Sequence, residues 1–387
     1  MHNSNARIIF FNRFLSLIIE YGYAIALSII FSKISVDYVL GLWIAKFMGG
    51  LLANIGHTFL GKISNKKYVL IGIELLKACS LALIYLSMKS VFVFVLIVLT
   101  EVLTTYFNSL LSSIISLVVP KESLRQFNSI YTMIGSASYF LAPMVVGIWS
   151  SLDLGRLFLI YSLLTVLATL LLFRLDALII NPDNVTGDND LKTEKEFGMT
   201  GKTILLIIVL ATLLLQSVGV LYDAYEVIFL TNDIGISSQA YSFSLSFLAI
   251  IFLATSSILS LNKWSNYSPI KGYLLGSLVY VGYLVAFPLV SNLTGVLISY
   301  IFLAIGQTVS GISQSIYLQE RLKPQELSTL YLKLEVVNDV LTGSMVFLSG
   351  MLIKRDIQVS LIYMIYSFII IITVFGILVV AKKRIFR

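Results

Sequence analysis

The chain has 387 residues, 58% of them hydrophobic and only 12% charged, with a mean hydropathy of +0.94. A soluble protein of this length needs far more charge to cover its surface, so composition excludes a water-soluble globule and assigns the apolar excess to lipid. The formal charge of +7 is spread in short patches between apolar runs, which excludes a nucleic-acid surface and matches how membrane proteins set their orientation.

A helix needs about 20 apolar residues to cross the bilayer core. In chain order, spans are expected at 8–32, 36–58, 68–88, 91–118, 128–151 and 156–175. After a polar stretch they continue at 203–230, 239–261, 271–291, 294–320, 329–352 and 359–381. Many of these runs are rich in Ile, Val and Phe, but with no water to satisfy backbone groups helix is still the required conformation. The first run has no small-residue cleavage site after it and leads straight into another span, so a retained helix is expected. Residues 176–202 carry Asn, Asp, Gly, Pro and mixed charge, and read as a solvated linker. It separates an N-terminal six-helix half, 1–175, from a C-terminal one, 203–387. Cys79 stands alone in an apolar run, where a small packing residue is expected.

Lys and Arg fix the orientation. With a cytoplasmic N-terminus, the inside segments hold eighteen of them, among them Lys66, Lys67, Lys121, Arg125, Arg174, Lys192, Lys195, Lys382, Lys383 and Arg384. The outside segments hold five: Lys33, Lys89, Arg156, Lys354 and Arg355. Both termini and the linker are therefore expected on the inside of a cytoplasmic membrane. The loops after spans four and ten begin alike, with Pro120 and Pro324, an acid two residues later (Glu122, Glu326), and small pairs seven apart, Gly135 with Ala142 and Gly343 with Gly350. Spacing by seven puts each pair on one helix face, where small residues allow close approach. With the six-plus-six layout this suggests duplication of a six-helix half.

Ionisable residues in mid-span are costly, so each is a functional candidate. Span one carries Arg13, Ser16, Glu20 and Tyr23. Span four carries Glu101, Thr104, Thr105, Asn108 and Ser112. Span seven carries Gln216, Gly219, Asp223 and Glu226, and span ten Gln307, Ser310, Gln314, Tyr317 and Arg321. Each set follows steps of three and four and forms one stripe. The expectation is that these four helices line a wet cavity, while spans six, nine and twelve, with no internal charge, face lipid all round. A carboxyl group in such a cavity can load and release a proton, and can attract a cation, so the two compete. Glu20, Glu101, Asp223, Glu226 and, in span eleven, Asp339 are the candidate acids. Asp223 and Glu226 are expected to face the same way and repel. Lys46, in span two, could neutralise Glu20 or Glu101, and Glu74 with Lys77 reads as a local ion pair near the cytoplasmic end of span three. Tyr23 and Tyr317 offer aromatic surfaces for a substrate. His2 and His57 have no ligand-like neighbours, so neither a metal nor a cofactor is expected.

The loop from Gly56 through Gly61 to the basic pair Lys66 and Lys67 resembles the signature loop of major facilitator proteins, although the acid of that signature is missing and Lys62 stands near its place. Residues Val119, Pro120, Lys121, Glu122, Asn128, Ala142, Pro143 and Gly147 resemble the span-five region of the drug:proton antiporter branch, which includes macrolide-efflux and siderophore-exporter proteins, with Ala142 in place of the usual first Gly. The resemblance implies an all-α polytopic fold of twelve helices in two pseudo-symmetric halves. It also implies proton-coupled export of amphipathic small molecules, in the manner of antibiotic-resistance pumps, by a monomer without cofactor. Glu20 is the counterpart of that branch's span-one acid. Proton-coupled uptake of a small nutrient is the alternative; a membrane transferase would need clustered loop acids, which the sequence lacks.

Overall fold

The computed structural model describes residues 4–60, 65–118, 124–174, 199–259, 268–319, 322 and 324–385. The first six helices are α1 (Ser4–Ser32), α2 (Val36–Leu60), α3 (Lys66–Ser87), α4 (Phe92–Val118), α5 (Leu124–Trp149) and α6 (Leu154–Leu172). The second six are α7 (Met199–Ile228), which runs on into a π-helical turn at Phe229–Asp233, α8 (Ser238–Leu259), α9 (Pro269–Ala286), closed by a 3-10 turn at Phe287–Leu289, α10 (Leu293–Gln319), α11 (Pro324–Ile353) and α12 (Val359–Ile385). Each expected span is a helix. Ten are long and apolar enough to cross a membrane, while α5 and α12 hold shorter apolar stretches, Met133–Trp149 and Val359–Thr373, within the described residues. Gly61, Lys62, Val119, Pro120, Lys121, Glu122, Arg321 and nearly all of the expected linker lie outside the described residues.

Two compact units form, one of Met1–Asp188 with Ser238–Ser246, the other of Asn189–Ser237 with Phe247–Arg387. In the first, α3 packs on α4 and α6, α2 on α4, and α1 on α5 and α6. One cluster joins Ile9, Leu70, Ile73, Leu103, Phe107, Leu111, Phe127 and Leu172. In the second, α9 lies against α10 and α7 against α11 and α12. Rings fill its interior: Tyr222 stacks on Tyr363 with centroids 3.9 Å apart, and Phe229, Tyr283 and Phe287 pack around them.

Several hydroxyls are satisfied inside their own helices, because a Ser or Thr can bond the carbonyl four residues back. Thr100 bonds Leu96 O at 2.8 Å, Thr169 bonds Thr165 O at 2.7 Å, and Ser310 bonds Gly306 O at 2.7 Å. Ser310 of the span-ten stripe is thereby satisfied within its own helix. Outside, α6 shows Leu163, Leu167 and Leu170, α12 shows Leu361, Ile365, Phe368 and Ile372, and α3 shows Leu76, Cys79, Leu83 and Leu86. Steps of three and four make each set one lipid-facing stripe. Cys79 is thus exposed, contrary to the packing role expected of it. The expectation that spans six, nine and twelve face lipid all round also fails. Tyr161 of α6, Tyr273, Tyr280 and Tyr283 of α9, and Tyr363 and Ser367 of α12 are buried. Hydropathy counts tyrosine as nearly apolar, but its hydroxyl turns a helix face inward to find a partner.

Close helix approach occurs elsewhere than expected. Gly135 has open space where a side chain would stand, so it is no contact point, whereas Ala142, Pro143 and Gly147 are buried. The tight crossing is between α9 and α10. A Cβ on Gly306 would lie 2.5 Å from the backbone nitrogen of Tyr280, and one on Gly276 would lie 2.9 Å from the Cα of Ser310.

Candidate functional site

In the first unit the polar stripes of α1 and α4 meet. Arg13 donates through Nη1 to Asn108 Oδ1 at 2.5 Å, and the same nitrogen stands 3.8 Å from Glu20 Oε2. One turn further along α1, the Tyr23 hydroxyl donates to Glu101 Oε1. Arg13, Glu20 and Tyr23 share a face because steps of seven and three keep them within one helical stripe. The guanidinium also lies 5.7 Å from the centre of the Tyr131 ring on α5, and Tyr21 meets Tyr139 edge-on at 5.2 Å.

The Arg13–Glu20 contact is Coulombic only: 3.8 Å is too long for a hydrogen bond, and Glu20 Oε2 and Arg13 Nε have no hydrogen-bond partner. The two side chains are 12% and 22% exposed, while the unpartnered Oε2 and Nε themselves are buried. The Glu20 carboxylate has a spare lone pair that can take up and release a proton, while the guanidinium keeps its charge and a spare N–H; together they suit a solute carrying both signs of charge. Lys46 does not neutralise either acid. Its ammonium lies 5.0 Å from the Trp43 ring on its own helix, one turn back, where the ring face attracts it. Instead Gly49 of α2 faces the Glu101 side chain so closely that a Cβ there would stand 3.0 Å from Val98 O.

The second unit brings α7 and α10 together. Glu226, 5% exposed, accepts a bond of 2.6 Å from the Tyr300 hydroxyl. Asp223, three residues earlier, is exposed, and both acids act on the buried Tyr283. The two acids differ in burial: Glu226 is held against Tyr300 of α10 while Asp223 is exposed, although a step of three keeps both near one face. Gly219 lies under the Tyr280 hydroxyl with no room for a side chain. Gln216 and Gln307 are exposed, Gln314 is buried, and Asp339 of α11 is half-buried beside Asn338, which accepts a 3.0 Å bond from Ser217 of α7. Gly56 lies within α2, and Lys66 and Lys67 open α3, where Lys67 donates at 2.9 Å to the carbonyl of Phe173 that ends α6. Cations suit a helix C-terminus.

Two expectations about aromatic surfaces are corrected. Tyr23 is 2% exposed and engaged with Glu101, and Tyr317 is 3% exposed in a core cluster with Ile208, Ala211 and Tyr273. The half-open rings next to Arg13 and Glu20 are Tyr21, Tyr131 and Tyr139. Tyr300, which hydropathy counts as nearly apolar, stands seven residues before Gln307 and fourteen before Gln314, on the same stripe.

Comparison with known proteins fits this architecture. A model of the Major Facilitator Superfamily matches residues 9–332. No curated protein is significantly similar in sequence. Among solved structures, the POT family transporter PepTSo superposes with a TM-score of 0.78 at 8% identity, over 100% of this chain and 99% of that one. The nucleoside transporter NupG gives 0.73 at 14% identity, over 99% and 100%. A bacterial homologue of the human lysosomal transporter Spinster, in an inward-facing unoccupied conformation, gives 0.65 at 14% identity, over 99% and 96%. With the family's pattern matched across most of its length and the twelve-helix fold in place, this chain belongs to the Major Facilitator Superfamily and is a secondary transporter of the alternating-access kind.

Proposed function

We propose that the protein is a proton-coupled exporter of amphipathic small molecules, with Glu20 as the coupling acid. The observation that carries this is the Arg13–Glu20 pair on α1. Its two charges stand in Coulombic contact without a hydrogen bond, each with an unpartnered polar atom, and both are partly open. A proton and a cationic solute would compete for the same carboxylate, and that competition is the simplest physical basis for antiport. Glu101, Asp223, Glu226 and Asp339 are the further acids of the scheme, and the half-open rings of Tyr21, Tyr131 and Tyr139 suit an apolar solute body. The span-five residues Ala142, Pro143 and Gly147 favour export. The eighteen-to-five distribution of Lys and Arg favours cytoplasmic termini in a cell membrane, and the protein is taken to work as a monomer.

The test is accumulation of several cationic dyes and drugs in a host stripped of its own pumps. Expression should lower accumulation, a protonophore should restore it, and Glu20→Gln should restore it in the same way. Equal accumulation with and without the protein would sink export.

Proton-coupled uptake of a small nutrient is the second reading, favoured by Arg13. A guanidinium with a free Nε–H beside Asn108 suits a carboxylate or phosphate on the solute, and two of the similar structures are nucleoside and peptide transporters. Labelled solute loaded inside everted and right-side-out vesicles separates the two directions.

A further inference from the structure

Glu74 and Lys77 lie on α3, outside the polar stripes used above. At 1.5 Å per residue they stand about 12 and about 16 Å along that helix, well inside rather than near its end. Both side chains are 1% exposed. Their charged atoms are 3.8 Å apart, beyond hydrogen-bond distance, and neither oxygen of Glu74 meets a donor. The Lys77 ammonium instead reaches across to α1, where it donates to Ser16 Oγ at 3.5 Å, and it lies 5.7 Å from the Phe107 ring of α4. Ser16 sits three residues after Arg13 and four before Glu20, on the same face of α1.

A local ion pair explains why two adjacent turns of α3 carry opposite charges. It does not explain why the carboxylate keeps both oxygens unbonded while its counter-ion bonds another helix. Burial penalises the charged carboxylate, and the Lys77 ammonium opposes that penalty without hydrogen-bonding either oxygen, so the carboxylate is held less firmly than in a bonded pair. We propose that Glu74 is a second proton-binding site of the first unit, linked through Lys77 and Ser16 to the Arg13–Glu20 pair. When Glu74 takes a proton, Lys77 loses its counter-ion, and its ammonium turns towards α1, where Ser16 already receives it and Glu20 Oε2 has no hydrogen-bond partner. When that proton leaves, the ammonium is drawn back. A charge then moves towards or away from Glu20 without the two acids touching, and by linkage Glu20 must act on Glu74 to the same degree.

The charged groups acting on Glu74 are Lys77, Glu20 and Arg13. Of the ionisable groups on the other helices packed against α3, Glu101 of α4 is bonded to Tyr23, and Tyr161 of α6 lies against Gly22. At this level α6 contributes Ser162, bonded to Ala78 O at 2.8 Å. The inference rests on the reading of Glu20 as the coupling acid, and it deepens that reading.

Infrared difference spectra of the purified full-length protein in lipid nanodiscs, recorded between about pH 5 and about pH 9, detect carboxyl groups that titrate. They require no transport. A carboxyl band should disappear in Glu74→Gln. In Glu20→Gln the midpoint of that band should move by about one pH unit, a tenfold change in proton affinity. In Lys77→Met it should move further. Because removing one partner of a buried pair destabilises, the double variant Glu74→Gln/Lys77→Met serves as the fold-preserving form. It should stay helical by circular dichroism while the Glu20 band shifts relative to wild type. Spectra of Glu74→Gln identical to wild type would overturn the proton site. A Glu74 band indifferent to Glu20→Gln, or a Glu20 band unmoved in the double variant, would overturn the link. If instead dye accumulation ignores a protonophore while these bands behave as stated, the exporter reading fails and the second proton site stands.

Discussion

The bond between Tyr300 and Glu226 offers a measurement of charge inside the second unit. Its oxygen–oxygen distance of 2.6 Å is that of a close hydroxyl bond, and the cost of removing it separates a charged acceptor from a neutral one. Removing the hydroxyl with Tyr300→Phe leaves the ring and its packing against Phe287 in place. A hydrogen bond to a charged group contributes about 1.5–3 kcal/mol, whereas neutral bonds between membrane helices average about 0.6 kcal/mol. The expected cost in wild type is therefore about 2 kcal/mol. In a Glu226→Gln background an acceptor oxygen remains but the charge does not, and the same Tyr300→Phe change should cost about 0.6 kcal/mol. The four proteins are compared by chemical unfolding in detergent at one pH, as a double-mutant cycle. Equal costs in the two backgrounds would refute the ionised bond.

Three further outcomes are expected. Gly306→Ala should destabilise by about 1–3 kcal/mol, since its methyl would meet the backbone of Tyr280 and nothing there can rotate away, while Gly311→Ala, with open space, should be neutral or stabilising by up to about 1 kcal/mol in the same unfolding assay. Cys79, between exposed Leu76 and Leu83, should react with an apolar maleimide dissolved in the membrane and resist a charged one, as read by mass spectrometry. Tyr222→Phe should cost about 1 kcal/mol, because Ser367 still bonds Leu284 O and Tyr363 O, whereas Tyr363→Ala, which removes the ring stacked on Tyr222, should cost about 3–5 kcal/mol, both from thermal unfolding followed by circular dichroism.

The helices were legible because run length and apolarity act along the chain: a span must be about 20 residues long wherever it packs. The polar stripes of α1 and α4 were legible too, since charge is costly in lipid, but that Arg13 would meet Asn108 and Glu20 was not. What escaped depends on neighbours. Tyr300 looks apolar by hydropathy, and only the approach of α7 shows that its hydroxyl is committed to Glu226. Asp223 and Glu226 share a stripe in sequence, yet a fraction of a turn separates a buried acid from an open one. Glu74 and Lys77 satisfy a local rule so well that nothing in the sequence suggests the ammonium leans on Ser16. Gly276 and Gly306 carry no signature at all, because the partner of each glycine is the backbone of another helix.

That last contact has a mechanical consequence. Where Gly276 and Gly306 meet, main chain touches main chain, with no side chain between to tilt or change rotamer. Such a weld resists shear, so α9 and α10 should travel together as a single stiff plank during the transport cycle, and bending must fall on segments that keep flexible side chains between them.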